Sequence, residues 1–196
     1  MSRSHSYLYT PDKNTFNNTP GAGVDLREYI SEPYNQLSTS SCASHAVAGA
    51  LELAIRTRKH LRNFVPSWMY IWYYARLHSR GRKAVRYNYG TSIKDALDTL
   101  REGVCREERW LYQQSDAEEG TRKFLPGAKA AQEPDRRAKL DARNYTATYS
   151  KIHRHHLRYE LIDCLDTGFP FIFWMKMYGQ LSAAHINKSN QYTMSA

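Results

Sequence analysis

The apolar positions that follow Cys42 have the period of a helix. They recur at spacings of three and four residues, as on one face of an α-helix. These positions are Ala43, Ala46, Val47, Ala50, Leu51, Ala54 and Ile55. Basic side chains come next, where the negative end of a helix dipole favours them; they are Arg56, Arg58, Lys59 and His60. The pattern predicts a long helix that begins at Cys42.

Two further helices are predicted downstream. Ser67 precedes an aromatic-rich run that extends to about Ser79, and serine in that position caps the first turn of a helix. Thr91 or Ser92 caps the other helix, and Gly103 ends it with a residue that tolerates the left-handed conformation. The apolar positions of this helix are Ile93, Ala96, Leu97 and Leu100.

The chain becomes less regular after these helices. Residues 113–150 are charged, interrupted by glycine and proline and poor in apolar side chains, so we expect a long irregular connection. A fourth helix is predicted over about residues 150–166. Its inner side would carry Ile152, Tyr159, Ile162 and Leu165.

Residues 169–178 are nearly all apolar, which predicts a strand buried on both faces. A buried strand needs neighbours that complete its hydrogen bonds. Residues 180–196 are polar and offer no such neighbour. We therefore expect an incomplete sheet.

The composition adds limits on compartment and class. The chain has 196 residues, of which 41% are hydrophobic and 24% charged, as in folded domains. No apolar run is long enough to span a membrane, and the first residues do not resemble a signal peptide. Three cysteines without a C-x-x-C pair favour a reducing compartment, and we expect a cytoplasmic protein.

A formal charge of +9 raises the possibility of nucleic-acid binding. The basic residues are spread over several segments, and no RNA- or DNA-binding motif frames them. A solvated basic surface that steers acidic partners is the favoured interpretation. A basic nucleic-acid-binding module remains the alternative.

Cys42 is the candidate nucleophile. A thiol at a helix N-terminus faces the positive end of the dipole and unpaired backbone N–H groups, and both stabilise the thiolate. The backbone N–H of Cys42 can also donate to a developing oxyanion, and Gln36, six residues earlier, can supply a second donor from its side chain. By its position alone, Cys42 could instead be a small buried residue of the helix.

The sequence around Cys42 resembles a known active-site segment. Residues 36–52 read QLSTSSCASHAVAGALE, which is similar to the nucleophile segment of the papain family of cysteine peptidases, and above all to cytosolic-type members without a pro-segment. In that pattern a Gln stands six residues before the Cys, a Ser directly precedes the Cys, and a helix of small residues follows. Residues 24–27, VDLR, look like the opening motif of the same family.

Two later blocks extend the resemblance over about residues 24–178. Residues 90–112 read GTSIKDALDTLREGVCREERWLY and resemble the family's next helix with its G-V-C-x-E-x-x-W turn. Residues 161–178 resemble the helix and first central strand that open the family's β-rich lobe. The pattern departs from the family at Ser40, where Gly is usual, and at Ala43, where an aromatic residue is common.

The resemblance also implies a catalytic His and an Asn on the β-rich lobe. Among the eighteen residues after Tyr178, His185 is the one histidine, and it is therefore the candidate base. No residue matches the family's Asn. Three other histidines, at positions 153, 155 and 156, precede the strand and are interpreted as exposed helix residues; His45, one turn after Cys42, is interpreted as a packing residue.

The resemblance implies an α+β, papain-like fold. We expect a polar tail over residues 1–23, a helical lobe with the nucleophile over 24–150, and a fragment of the β-rich lobe over 151–196. The implied activity is cysteine-type hydrolysis of peptide or protein substrates, with Cys42, Gln36 and His185 as site residues and with no metal or organic cofactor. The alternative is a truncated, non-catalytic relative that binds peptides or proteins.

Overall fold

A computed structural model of the chain describes residues 7–8, 25–30, 32–58, 61–118, 120–152 and 157–175. Three helices that contact one another form its centre. They are α1 (Cys42–Arg58), α2 (Trp68–Arg80) and α3 (Ile93–Asp98). Their shared core is apolar and rich in aromatic rings.

Helix α1 begins at Cys42, as the apolar period predicts. The residues that it buries against the other helices include Val47, Leu51 and Ile55, and each side chain of this kind contributes about 1.5–3 kcal/mol when it leaves water. Ala46 was assigned to the same face but is exposed, because it lies on the opposite side of the helix. This helix is the longest in the described part of the chain. No helix there is long and apolar enough to cross a membrane.

The predicted cap of α2 is confirmed. The Ser67 hydroxyl accepts the Tyr70 N–H (3.1 Å) and donates to the Trp110 carbonyl (2.8 Å), while the Ser67 N–H donates to the Cys105 carbonyl (2.9 Å). Ser67 therefore starts the helix and also fixes it to the segment that follows α3.

Helix α3 shows which of the two candidate caps is used. Ser92 accepts the Asp95 N–H (3.0 Å) and the two residues form a capping box. After a 3₁₀ turn, Gly103 has φ of +100°, and a Cβ there would lie 2.0 Å from the Ala142 carbonyl oxygen. The chain needs glycine at this point both for its backbone conformation and for its close approach to a neighbouring segment.

Arg76 of α2 is buried in the core, with 1% of its surface exposed. Its guanidinium donates to the carbonyls of Val85 (2.9 Å), Tyr87 (2.9 Å) and Ala130 (2.5 Å), and it lies 3.9 Å from the centroid of the Trp72 ring. Burial lowers the pKa of Arg76 to about 9, so the group stays charged at neutral pH. This side chain connects α2 to two segments outside the longer helices, and each of them contains a short 3₁₀ turn, Ala84–Arg86 and Lys129–Ala131.

The predicted irregular connection over residues 113–150 is partly wrong, because it contains a helix, α4 (Arg136–Ala142). Its cap is Asp135, whose carboxylate accepts the Ala138 N–H (2.8 Å). The helix buries only Ala138 and Ala142, two small residues four positions apart. Because the helix buries so little apolar surface, the apolar period that would predict it is weak in this charged part of the sequence.

The fourth predicted helix starts later than expected and turns a different face inward. Ser150–Lys151 forms strand β2, which pairs in parallel with β1 (Tyr7–Leu8), and the helix itself, α5, spans Leu157–Asp166. Tyr159 and Ile162, predicted to face inward, are 71% and 50% exposed. The residues that α5 does bury are Glu160 and Cys164.

The predicted buried strand is wrong over its described part. Residues 169–175 have no strand hydrogen bonding, and Phe173, Trp174 and Met175 are exposed. The physical reason is the one that the sequence indicated: within the described ranges no other strand lies beside them to complete a ladder. Residues 176–178 fall outside the described residues.

Candidate active site

Cys42 is the first residue of α1, and its thiol is exposed. The first turn of the helix contains no acidic side chain that would repel a thiolate. The other two cysteines, Cys105 and Cys164, are buried. Cys42 is therefore the accessible sulfur, at the end of the helix where unpaired N–H groups favour negative charge.

Gln36 belongs to a tight turn that leads into α1. Its backbone carbonyl accepts the Thr39 N–H (3.1 Å) and the Thr39 hydroxyl (2.6 Å). Its side-chain Nε2 donates to the Thr39 carbonyl (3.1 Å). An amide nitrogen carries two hydrogens, so this bond leaves one of them for another acceptor. Leu37 has φ of +49°, the left-handed region that side chains disfavour.

His45 lies under this turn and is buried. Its Nδ1 is 3.0 Å from both the hydroxyl and the carbonyl oxygen of Ser41, and its ring stacks at a tilt on Trp68, with centroids 4.1 Å apart. Burial lowers the pKa of His45, which the hydrogen bond to Ser41 only partly offsets. A neutral ring held in this way supports the interpretation of His45 as a packing residue.

A buried ion pair lies behind His45. Glu52, 1% exposed, accepts the Tyr34 hydroxyl (2.5 Å) and pairs with Arg56 of the next turn (2.7 Å). Burial, and then the hydrogen bond to Glu52, raises the pKa of Tyr34, so its hydroxyl stays protonated as a donor. The Tyr34 ring meets the edge of the His45 ring with centroids 5.9 Å apart. Through this ring contact, the ion pair of Glu52 and Arg56 is linked to His45 in the first turn of α1.

Sequence reasoning did not find this network. The available signal was the spacing of four between Glu52 and Arg56, which lets opposite charges meet on one side of a helix. It also missed Asn88, which reaches the turn before Cys42 from a distant segment. The Asn88 side chain accepts the Ser40 N–H (2.7 Å) and donates to the Ser38 carbonyl (3.0 Å).

A groove of about 770 Å³ runs along the outer side of α1. Small residues of the helix form one wall, among them Ala46, Gly49 and Ala50. Residues 170–173 and part of the segment 25–30 also line it. Small apolar residues of α1 that do not pack into the core therefore line this groove.

His185 lies outside the described residues, as do the three histidines at positions 153, 155 and 156. The structure places Gln36 in the turn that precedes α1 and Cys42 at the first residue of α1, a turn-and-helix unit whose intervening residues Asn88 contacts. The role of His185 stays a prediction from the sequence.

Two similarities to known proteins bear on this unit, whereas no protein-family model matches the chain. The chain is 24% identical over 182 residues to an uncharacterized peptidase C1-like protein, L477, of Acanthamoeba polyphaga mimivirus. The match covers 87% of this chain and 54% of the viral protein. The chain thus spans about half the length of this relative.

The second similarity is to a crystal structure. Xylellain, a cysteine protease from Xylella fastidiosa, superposes with a TM-score of 0.69 at 31% sequence identity. The match covers 86% of this chain and 61% of that chain. Most of this chain therefore has a fold that a solved cysteine protease also has.

Proposed function

We propose that this chain, a papain-like cysteine peptidase by family and by fold, hydrolyses peptide bonds through a thioester on Cys42. The family resemblance and the α+β papain-like fold predicted from the sequence are confirmed by the two similarities. The observation that carries the proposal is the exposed Cys42 thiol at the start of α1. A peptide or protein is the proposed substrate.

The proposed reaction follows from the turn-and-helix unit. The Cys42 thiolate attacks the peptide carbonyl carbon, and the carbonyl π electrons move to the oxygen. The backbone N–H of Cys42 and the free hydrogen of Gln36 Nε2 are the donors to that oxyanion. When the oxyanion collapses, the C–N bond breaks, the amine leaves with a proton from the base, and a thioester remains. Water then attacks the thioester carbonyl, which releases the acyl half of the peptide as a carboxylic acid and restores the thiol.

His185 is the proposed base. It would take the thiol proton before attack and deliver it to the leaving amine. His45 is a poor base, because its ring is buried and bonded to Ser41. The cytoplasm is the proposed location, supported by a sequence with three widely spaced cysteines and no C-x-x-C pair.

A second candidate function is the binding of peptides or proteins without cleavage. It is favoured by the sequence around His185, which lacks the apolar alternation of a strand. Loss of the base from a catalytic unit of this kind lowers turnover by orders of magnitude. Binding of a peptide would survive that loss.

Cleavage and binding can be measured on the same peptides. We expect a quenched fluorescent peptide library to be cleaved by the full chain, and acid quenching to trap an acyl adduct that mass spectrometry assigns to Cys42. Protein whose thiol is first blocked with iodoacetamide is the control and is expected to give neither signal. Peptides that bind by fluorescence anisotropy but give no product and no adduct would replace the peptidase with the second candidate.

A further inference from the structure

The Asn88 side chain holds the backbone of the segment between Gln36 and Cys42 from outside that segment. The Asn88 carboxamide accepts the Ser40 N–H through Oδ1 (2.7 Å) and donates through Nδ2 to the Ser38 carbonyl (3.0 Å). These bonds join residues 48 and 50 positions apart in the sequence. A single planar amide thus holds a donor and an acceptor two residues apart, and the pair resists both translation and rotation of the segment.

Asn88 is fixed in turn by the helical core. Its N–H donates to the Arg122 carbonyl (2.7 Å), and the Tyr89 N–H donates to the Tyr87 carbonyl (2.9 Å), which makes a tight turn centred on Asn88. Arg76 donates to the same Tyr87 carbonyl (2.9 Å). The Trp72 indole N–H donates to the Tyr89 carbonyl (3.1 Å). The carbonyls of Tyr87 and Tyr89, which flank Asn88, therefore both accept hydrogen bonds from side chains of α2.

Within the described part of the chain, the other hydrogen bonds of the segment are local. Gln36 and Thr39 bond each other, and Ser41 bonds Thr39 (2.6 Å) and His45 (3.0 Å). Local bonds shape the turn, but they do not fix its position against α2 and the segments packed on it. The Asn88 amide supplies that long-range connection.

We propose that Asn88 is a positioning residue for the oxyanion site, an inference that rests on the proposed function of Cys42 and Gln36. By holding Ser38 and Ser40 it sets where the Gln36 amide stands relative to the backbone N–H of Cys42. Donors to an oxyanion act at 2.7–3.1 Å from the position that the oxygen will occupy. A displacement of about 1 Å can cost on the order of 10²-fold in rate.

Two reactions of Cys42 separate positioning from general damage. Acylation by a peptide substrate passes through an oxyanion, whereas alkylation by iodoacetamide is a displacement of iodide by the thiolate and forms no oxyanion. We expect Asn88→Ala to lower the acylation rate constant by roughly 10- to 10²-fold, mainly in kcat. Alkylation of Cys42 should stay within about twofold of wild type, because the helix N-terminus is unchanged.

Conservative variants refine the test. Asn88→Asp keeps an acceptor for the Ser40 N–H but places a second oxygen against the Ser38 carbonyl, so acylation should fall as in Asn88→Ala. Asn88→Gln keeps both groups of the amide and should recover part of the rate. Gln114→Ala removes an exposed amide that donates to the nearby Asp116 (3.1 Å), and it should leave both reactions unchanged.

Amide hydrogen exchange tests the same contact without any turnover. Protection of the peptide that spans residues 38–42 should fall by at least about tenfold in Asn88→Ala and stay unchanged in Gln114→Ala. Wild-type acylation rates in the Asn88 variants, or equal losses of acylation and alkylation, would overturn the positioning role. If the wild-type protein is never acylated, the proposed function is overturned instead. In that case, unchanged exchange protection in Asn88→Ala would show separately that Asn88 does not hold the segment.

Discussion

Replacing Cys42 with serine is expected to lower kcat/KM for peptide hydrolysis by at least about 10³-fold. A serine hydroxyl is hardly ionised at neutral pH and is a weaker nucleophile in a site built for a thiolate. The thiol is exposed, so the exchange of sulfur for oxygen removes no core contact and should leave the thermal unfolding midpoint unchanged. Steady-state kinetics with a cleavable peptide, together with thermal unfolding, checks both halves of the prediction.

Cys164→Ala is the control for this experiment. Cys164 is a buried thiol of α5 and is assigned no part in the chemistry, so its loss should leave kcat/KM unchanged. A Cys42→Ser variant that keeps more than a tenth of wild-type activity would show that hydrolysis occurs elsewhere. Equal losses in the two variants would show that the effect comes from a general disturbance of the fold.

Arg76→Ala is expected to lower the free energy of unfolding by about 4 kcal/mol. The substitution leaves the carbonyls of Val85, Tyr87 and Ala130 buried without their donor, and each such group costs about 1–3 kcal/mol. It also removes a long side chain that packs on the Trp72 ring at 3.9 Å, which leaves a cavity. Urea unfolding followed by circular dichroism measures the change.

Two further variants serve as references for the stability loss of Arg76→Ala. Arg76→Lys keeps the charge and part of the stem, but a compact ammonium does not span carbonyls on two segments, so its loss should be intermediate. Arg27→Ala removes an exposed arginine that pairs with Asp25 at the surface, and it should leave the free energy of unfolding unchanged. A cost below about 1 kcal/mol for Arg76→Ala would mean that water or a rearranged loop replaces the guanidinium.

The helices that the sequence predicts well are those with local signals. Ser67, Ser92 and Gly103 each act within a few residues of their own position, so a cap or a stop can be recognised without knowledge of the rest of the fold. The segments that were missed depend on distant partners. Helix α4 buries two alanines, and one of them, Ala142, lies against Gly103 from a distant part of the sequence.

The apolar run at residues 169–175 shows the opposite case. Its composition favours a strand, but a strand forms only when neighbouring strands complete its hydrogen bonds. Composition cannot supply those neighbours. Phe173 and Trp174 are accordingly exposed in a segment whose sequence predicts burial.

In the candidate site, too, the residues within one segment could be predicted from the sequence, whereas those that depend on distant contacts could not. Cys42 and Gln36 lie within one short segment, so a motif can reveal them together. Asn88 contacts that segment from 48 positions away, and nothing in the sequence near it signals the contact. Glu52 sits on an otherwise apolar side of α1, and a buried carboxylate there makes sense only with Tyr34 and Arg56 beside it.

The most direct test of the proposed peptidase is the rate at which an electrophilic peptidyl probe labels the protein across pH. The comparison is between the wild-type chain, Cys42→Ser and His185→Ala. The proposal predicts fast labelling at near-neutral pH that requires Cys42 and collapses without His185, as a thiolate paired with an imidazolium would give. Slow labelling that rises only toward alkaline pH and ignores His185 would contradict it, because that is the behaviour of an ordinary thiol.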